Sequence, residues 1–178
     1  MKHPARFLVC LLLSVSALAQ EKGTIFVVRH AERQSNAEDS PLSPAGEARA
    51  KCLAQTLRDA QIKAVFVNQY LRTKQTAAPI LQESKAREAV SNANATAEIV
   101  KAARTAADGG NVLIVGHSNT IPNLLKAFGT PLVTVPDTVY DQLFVFNAGQ
   151  PKQLLILHYC PSLPTDTTVH PANSMAKP

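Results

Sequence analysis

The heptapeptide Val27-Val28-Arg29-His30-Ala31-Glu32-Arg33 decides how the rest of the chain is read. It grows out of Thr24-Ile25-Phe26-Val27, an apolar run of residues that suit a fully enclosed β-strand. The run stops at an arginine–histidine pair. Open α/β sheets place ligand chemistry at the carboxyl ends of their strands, so this pair is either a site or simply the first solvated part of a loop. Downstream segments separate these readings.

Working outward, Leu42-Ser43-Pro44-Ala45-Gly46-Glu47 predicts a helix start, with Ser43 as N-cap, Pro44 at the first helical position and Glu47 near the positive end. Ala45, Ala48, Cys52, Leu53, Thr56, Leu57 and Ala60 recur at helical spacing and are expected to face a sheet. Ala64-Val65-Phe66-Val67 predicts a second buried strand. It ends at Asn68-Gln69-Tyr70, and a helix follows from Leu71-Arg72-Thr73 to about Ser84, which Pro79 is expected to kink or shorten. Residues 86–91 suggest a weak third strand and residues 95–107 a helix closed by Asp108-Gly109-Gly110. Asn111-Val112-Leu113-Ile114-Val115 is the clearest strand, running into Gly116-His117-Ser118-Asn119-Thr120 and then a helix stopped by Gly129. Leu143–Phe146 and Leu154–Leu157 form a terminal hairpin pattern.

Alternating strands and helices predict an α/β fold, a single three-layer domain with a mostly parallel sheet flanked by helices and a C-terminal antiparallel hairpin. Right-handed crossovers would carry the strand ends to one edge. Arg29-His30, the Asn68–Arg72 segment and His117-Ser118 then converge.

The ends of the chain read differently. Lys2 and Arg6, an apolar run from Phe7 to Leu18 and the small-x-small site Ala17-Leu18-Ala19 have the layout of a secretory leader. The run is short for a membrane span. Residues 1–19 are therefore expected to be a signal peptide, residues 20–160 the domain and residues 161–178 a disordered tail rich in Pro, Thr and Ser. Export to the periplasm or the extracellular space follows, with no stable membrane insertion once the leader is cleaved. Losing the leader's two cations lowers the net charge from +5 to +3. That suits anionic small molecules and, with no basic run interleaved with aromatics, excludes nucleic acid. Of three cysteines, Cys52 and Cys160 remain in the domain. Export permits a disulfide, but their distance in sequence does not show one, and Cys52 in an Ala/Leu-rich helix reads better as a small buried hydrophobe.

Two arginines and two histidines at one edge make an anion site with a nucleophile. Guanidinium forks match phosphate oxygens, and the helix after Gly116 adds unpaired N–H groups. Cations around an imidazole favour its neutral, nucleophilic form. No Asp, Glu or Cys lies at ligand-like spacing from either histidine, so neither a metal nor another cofactor is expected. A serine hydrolase is excluded because Gly116-His117-Ser118-Asn119-Thr120 lacks the second glycine of the nucleophile elbow.

Four blocks in order now carry a resemblance: Val28-Arg29-His30-Ala31-Glu32, Leu42-Ser43-Pro44-Ala45-Gly46, Arg72-Thr73-Lys74-Gln75-Thr76-Ala77 and Val115-Gly116-His117-Ser118-Asn119-Thr120. Together they resemble the histidine phosphatase family, also called phosphoglycerate mutase-like, over roughly Thr24 to Leu157, and especially its short bacterial members. The resemblance implies that His30 is the nucleophile that becomes phosphohistidine, and that Arg29, Arg72 and His117 grip the phosphoryl oxygens. Asn36 lies where some members place a further phosphate contact. Glu32 belongs to the motif and is expected to be structural.

Two departures stand out. Asn68 occupies a position where the family often has Ser or Thr. Many members also place an acid after the third strand to protonate the leaving oxygen, and Val90–Thr96 contains none. Glu88, Glu98, Asp137 and Asp141 are the substitutes within reach in sequence. The expected activity is an exported phosphatase acting on a small phosphate ester or a phosphorylated envelope component. The alternative is a phosphate-binding or sensing protein of the same fold with little turnover.

Overall fold

β1 (Thr24–Arg29) is held between a parallel neighbour, β4 (Asn111–Gly116), and an antiparallel one, β5 (Gln142–Asn147). This is a computed structural model, and it describes residues 22–161. The expected leader and all of the expected tail except Pro161 lie outside the described residues. In chain order the remaining elements are α1 (Pro44–Leu57), β2 (Ile62–Asn68), α2 (Leu71–Ser84), β3 (Arg87–Ser91), α3 (Thr96–Ala107), α4 (Ile121–Phe128) and β6 (Leu155–His158). The six strands form one sheet in the order β3-β2-β4-β1-β5-β6. Strands β3, β2, β4 and β1 run parallel, and only β5 is reversed, pairing antiparallel with both β1 and β6. The predicted α/β domain with a C-terminal hairpin is thus the observed fold.

The continuous apolar runs of β1, β2 and β4 follow from helices covering both faces. On one face, Leu53 and Leu57 of α1 and Ala77 and Ile80 of α2 pack on Val28, Val65, Val67, Leu113 and Val115. On the other, Ile99 and Ala103 of α3 and Leu124, Leu125 and Phe128 of α4 pack on Ile25, Val27, Phe66 and Ile114. Adjacent residues such as Val27 and Val28 therefore enter opposite layers, as the two-residue period of a strand requires. The outer strand β6 leaves Leu155, Ile156 and Leu157 exposed.

Three local expectations are corrected. The inward face of α1 is Gly46, Arg49, Ala50, Leu53, Ala54 and Leu57, while Ala48 and Thr56 point to solvent. The face is rotated because Arg49 turns inward to Glu32, a charge pairing that apolar periodicity does not register. Second, α2 continues through Pro79 to Ser84 as one helix. Proline removes only the hydrogen bond to Gln75, whose side chain is half-buried rather than enclosed. Third, Cys52 and Cys160 form a disulfide, with Cα atoms 6.4 Å apart across 108 residues of sequence. The chain leaving β6 turns back beneath α1, with Tyr159 buried among α1 and β-strand side chains, and delivers Cys160 to the helix.

The predicted start of α1 is observed. Ser43 Oγ accepts from the Gly46 amide at 3.2 Å, and Pro44 opens the first turn. Gly46 is required here because a Cβ at this position would lie 2.1 Å from the Glu32 carbonyl oxygen. Gly129 closes α4 in the left-handed conformation at φ 84°, as expected of a helix-ending glycine.

Candidate active site

Parallel pairing places the ends of β1 and β4 side by side, with Arg29 opposite Gly116. The backbone amide of His30 donates to the Gly116 carbonyl at 2.9 Å, extending the ladder by one bond. His30 and His117 therefore leave neighbouring strands at the same edge, their rings 5.1 Å apart between centroids in an edge-on arrangement. Asn68 ends β2 on the far side of β4, and Arg72 stands in the first turn of α2. Gly116 lets α4 approach this edge, since a Cβ there would lie 3.0 Å from Ile121 Cγ1. The structure brings together four of the predicted residues, Arg29, His30, Arg72 and His117, and all four are buried.

His30 Nδ1 lies 2.7 Å from the Ala31 carbonyl oxygen. A carbonyl only accepts, so Nδ1 carries the proton and Nε2 presents a lone pair. Nε2 makes no hydrogen bond among the described residues. Burial pushes the His30 pKa well below the ordinary histidine value, and Arg29, His117 and Arg72 push it the same way, while the bond to Ala31 opposes them. For His117, burial followed by the fields of Arg72, Arg29 and Arg33 lowers the pKa to about 4. Both rings are neutral at pH 7.

The arginines are oriented by groups that sequence reasoning did not identify. Arg29 Nη1 donates to the carbonyls of Pro136, Asp137 and Val139 at 3.2, 2.6 and 3.3 Å. Its Nη2 donates to Tyr140 Oη at 3.3 Å and lies 3.8 Å from Asp137 Oδ1, and the guanidinium stacks 4.0 Å above the Tyr140 ring. Arg72 Nη1 donates to the Glu38 carbonyl at 2.6 Å, and its guanidinium lies 4.3 Å from the Tyr70 ring. The Nε of each arginine is buried without a hydrogen-bond partner. Orphaned buried donors are costly and rare, and a ligand oxygen would satisfy them. The loop that holds Arg29 has no apolar period, so Tyr140 had no signal in the sequence. Tyr70 could have been found from its place two residues before Arg72.

The remaining predicted residues fall outside this cluster. Asn36 is exposed on the loop after β1, where its Oδ1 accepts from Arg33 Nη2 at 2.8 Å. Glu32 is fully buried and bound by Arg49, with Nε 2.8 and 2.9 Å from its two oxygens and Nη2 2.7 Å from Oε1. It is a structural ion pair. Of the four substitute acids, Glu88 and Glu98 are exposed on β3 and α3, and Asp141 pairs with His158 at 3.0 Å. Asp137 alone reaches the cluster, where Ser118 Oγ donates to it beside Arg29. Among the described residues no group of three or more His, Cys, Asp or Glu side chains is placed to hold a metal ion.

Residues 25–98 match the profile of the histidine phosphatase superfamily (branch 1). Comparison with curated protein sequences gave no match. Among solved structures, the chain is similar to a protein described as a SixA phosphohistidine phosphatase from Nakamurella multipartitia, at 23% identity and a TM-score of 0.55, covering 78% of this chain and 96% of that one. It is also similar to the corresponding SixA protein of Agrobacterium tumefaciens, at 19% identity and 0.57 over 78% and 97% of the two chains. A third similar structure is the protein histidine phosphatase SixA complexed with tungstate, at 16% identity and 0.56 over 76% and 95%. The profile match spans the first three motif blocks and the fold places His117 of the fourth beside them, so over residues 25–98 the chain is similar to the histidine phosphatase superfamily (branch 1).

Proposed function

We propose that this protein is an exported phosphatase that hydrolyses phosphate monoesters through a covalent phosphohistidine at His30. One observation carries the reading. The lone pair of His30 Nε2 is unengaged while two buried arginines beside it each keep an unpartnered Nε. A phosphoryl group would meet a nucleophile and complete both guanidinium donor sets. Phosphoryl transfer asks mostly for positioning and for neutralisation of the equatorial oxygens, which fixed arginines supply. In the first step the Nε2 lone pair forms a bond to phosphorus as the bond to the leaving oxygen breaks. In the second, water attacks the phosphohistidine, and its proton passes to solvent as His30 recovers its lone pair. One similar structure, the protein histidine phosphatase SixA, is complexed with tungstate, an oxyanion of the kind this pocket would receive.

Among the described residues, no buried carboxylic acid stands in the cluster to protonate a leaving oxygen. Asp137, the one candidate acid that reaches the cluster, is exposed and already engaged, in contact with Arg29 and accepting from Ser118. The substrates best matched are those whose leaving group departs without a proton, such as aryl phosphates or phosphohistidine. Phosphate esters of unactivated alcohols should react about 10²–10⁴-fold more slowly for want of general acid catalysis. Export rests on the leader-like residues 1–19.

The test is hydrolysis of an aryl phosphate by the purified protein in the presence of a chelator. Activity is expected to persist with chelator and to vanish in His30→Ala, and quenched reactions should carry an acid-labile, base-stable phosphoryl label. Loss of activity on chelation, or its survival in His30→Ala, would overturn the reading. A label that forms on His30 and is never released would instead favour the binding or sensing protein.

A further inference from the structure

We propose that Asn68 is a positioning residue that fixes His117 as a neutral imidazole with its proton on Nδ1, so that His117 meets substrate only as a hydrogen-bond donor. The inference rests on the phosphatase reading of this pocket. It starts from the amide of Asn68, whose orientation the surroundings determine. Its Oδ1 accepts from the backbone amide of Tyr70 at 3.1 Å and from Thr73 Oγ1 at 3.0 Å. A backbone N–H can only donate, so the atom facing it is oxygen and the other terminal atom is the NH₂. That Nδ2 lies 2.7 Å from His117 Nε2. An amide nitrogen only donates, so Nε2 must hold its lone pair toward Asn68, and the ring proton resides on Nδ1.

Both residues are buried, which gives the constraint its strength. Protonating His117 at Nε2 would set two donors against each other at hydrogen-bond distance. Turning the amide over would relieve that clash only by directing its NH₂ at the Tyr70 amide, which breaks that bond and sets donor against donor. The groups facing His117 reinforce neutrality. Arg29 and His30 approach from β1 and its end, Arg33 from the following loop, Arg72 from α2, and the Tyr70 ring lies 5.5 Å away edge-on. Every charge acting on the ring is positive.

His117 Nδ1 has no hydrogen bond among the described residues, so the nitrogen bearing the proton is the one left for a ligand. A hydroxyl at position 68 could donate or accept and would let the imidazole change its protonation during a reaction. The locked amide does not. His117 can then donate to a phosphoryl oxygen and cannot surrender a second proton to a leaving group. The pocket's two histidines then supply no acid to a leaving group. The substrate class narrows to phosphoryl groups on leaving groups that depart as stable anions or carry their own proton.

Two measurements on the full chain test this. Long-range ¹H–¹⁵N correlation spectra of histidine-labelled protein read the tautomer directly, and at pH 7 His117 is expected to show a protonated Nδ1 and an unprotonated Nε2. Asn68→Asp replaces the donor by a carboxylate, which should draw a proton to Nε2. That variant should raise the His117 titration, and the acid limb of kcat/KM for an aryl phosphate, by about 1–3 pH units. Asn68→Ser, keeping a small hydrogen-bonding side chain, should retain activity while allowing both tautomers. A wild-type His117 protonated at Nε2 would overturn the inference, as would an Asn68→Asp variant with unchanged ¹⁵N shifts and pH profile. Should Asn68→Asp not fold, the wild-type spectrum decides. Inactive protein with the expected tautomer would sink the phosphatase reading alone, whereas active protein with the other tautomer would sink this one.

Discussion

Acidification is expected to destabilise the fold through its pocket histidines, and His117 allows a number to be attached. In the unfolded chain this imidazole titrates near 6.5, while in the folded pocket burial and three arginines hold it neutral down to about 4. Below the unfolded value the unfolded chain takes up a proton that the folded site refuses. The stabilising contribution is therefore fully present above about pH 6.5 and is lost as pH falls toward the folded value. Each pH unit in that window removes about 1.4 kcal/mol, so His117 alone accounts for about 3 kcal/mol across it. A domain whose total stability is on the order of 5–15 kcal/mol would feel this strongly. His30 acts with the same sign, since its pKa is also depressed by burial and by the same arginines. Urea unfolding of wild type and His117→Gln at several pH values isolates the effect, because the carboxylates common to both proteins cancel in the difference. The variant loses a buried contact and should be less stable at pH 7. Its deficit should shrink by about 1.4 kcal/mol per unit between about pH 6.5 and about pH 4.5. Parallel curves for the two proteins would show that His117 titrates normally and that the pocket does not exclude its proton.

Two further outcomes follow from the scaffold. Glu32→Gln leaves Arg49 buried without its counter-charge and should cost about 3–5 kcal/mol in urea unfolding, whereas Glu32→Leu with Arg49→Met should recover most of that loss and keep aryl phosphatase activity. Reduction of Cys52–Cys160, or Cys52→Ser, should lower stability by about 2–5 kcal/mol, read as the shift in urea midpoint between reducing and non-reducing conditions.

How much of this was legible in the sequence depends on whether a residue's partner is near in pattern or only in space. The strands β1, β2 and β4 declare themselves because enclosure on both faces leaves Ile25–Val28, Ala64–Val67 and Val112–Val115 without a polar residue, and the candidate site begins where those runs end. Arg29, His30, Asn68 and His117 were therefore visible as chemistry at strand ends. The inward turn of Arg49 was not, because its partner Glu32 lies 17 residues away and hydrophobic periodicity is blind to ion pairs. Tyr140 contacts Arg29 across 111 residues from a loop with no period. The disulfide depends on where the chain goes after β6, which Cys52 and Cys160 do not encode by themselves. Asn68 is an intermediate case. Its position was noticed, but its role depends on two acceptor bonds that only the folded turn before α2 provides.

The peptide groups of residues 30–32 join the four sequence blocks in space. The His30 amide donates to the Gly116 carbonyl, which ties His30 to the block containing His117. The Ala31 amide donates to Thr76 Oγ1 at 2.9 Å, and that hydroxyl donates in turn to the Arg72 carbonyl at 2.7 Å. One side chain thus joins the His30–Ala31 segment to the helix turn carrying Arg72. The Glu32 carbonyl accepts from the Ser43 amide at 2.9 Å and packs so tightly on α1 that only Gly46 fits against it. Three successive residues are thereby pinned to β4, α2 and α1. A reaction that gains its rate from fixed geometry and preorganised charge needs its nucleophile held in this way, since displacement by even 1 Å can cost two orders of magnitude. Under the proposed reaction, residues such as Ser43, Gly46 and Thr76 would act by holding the backbone that sets where Nε2 of His30 points.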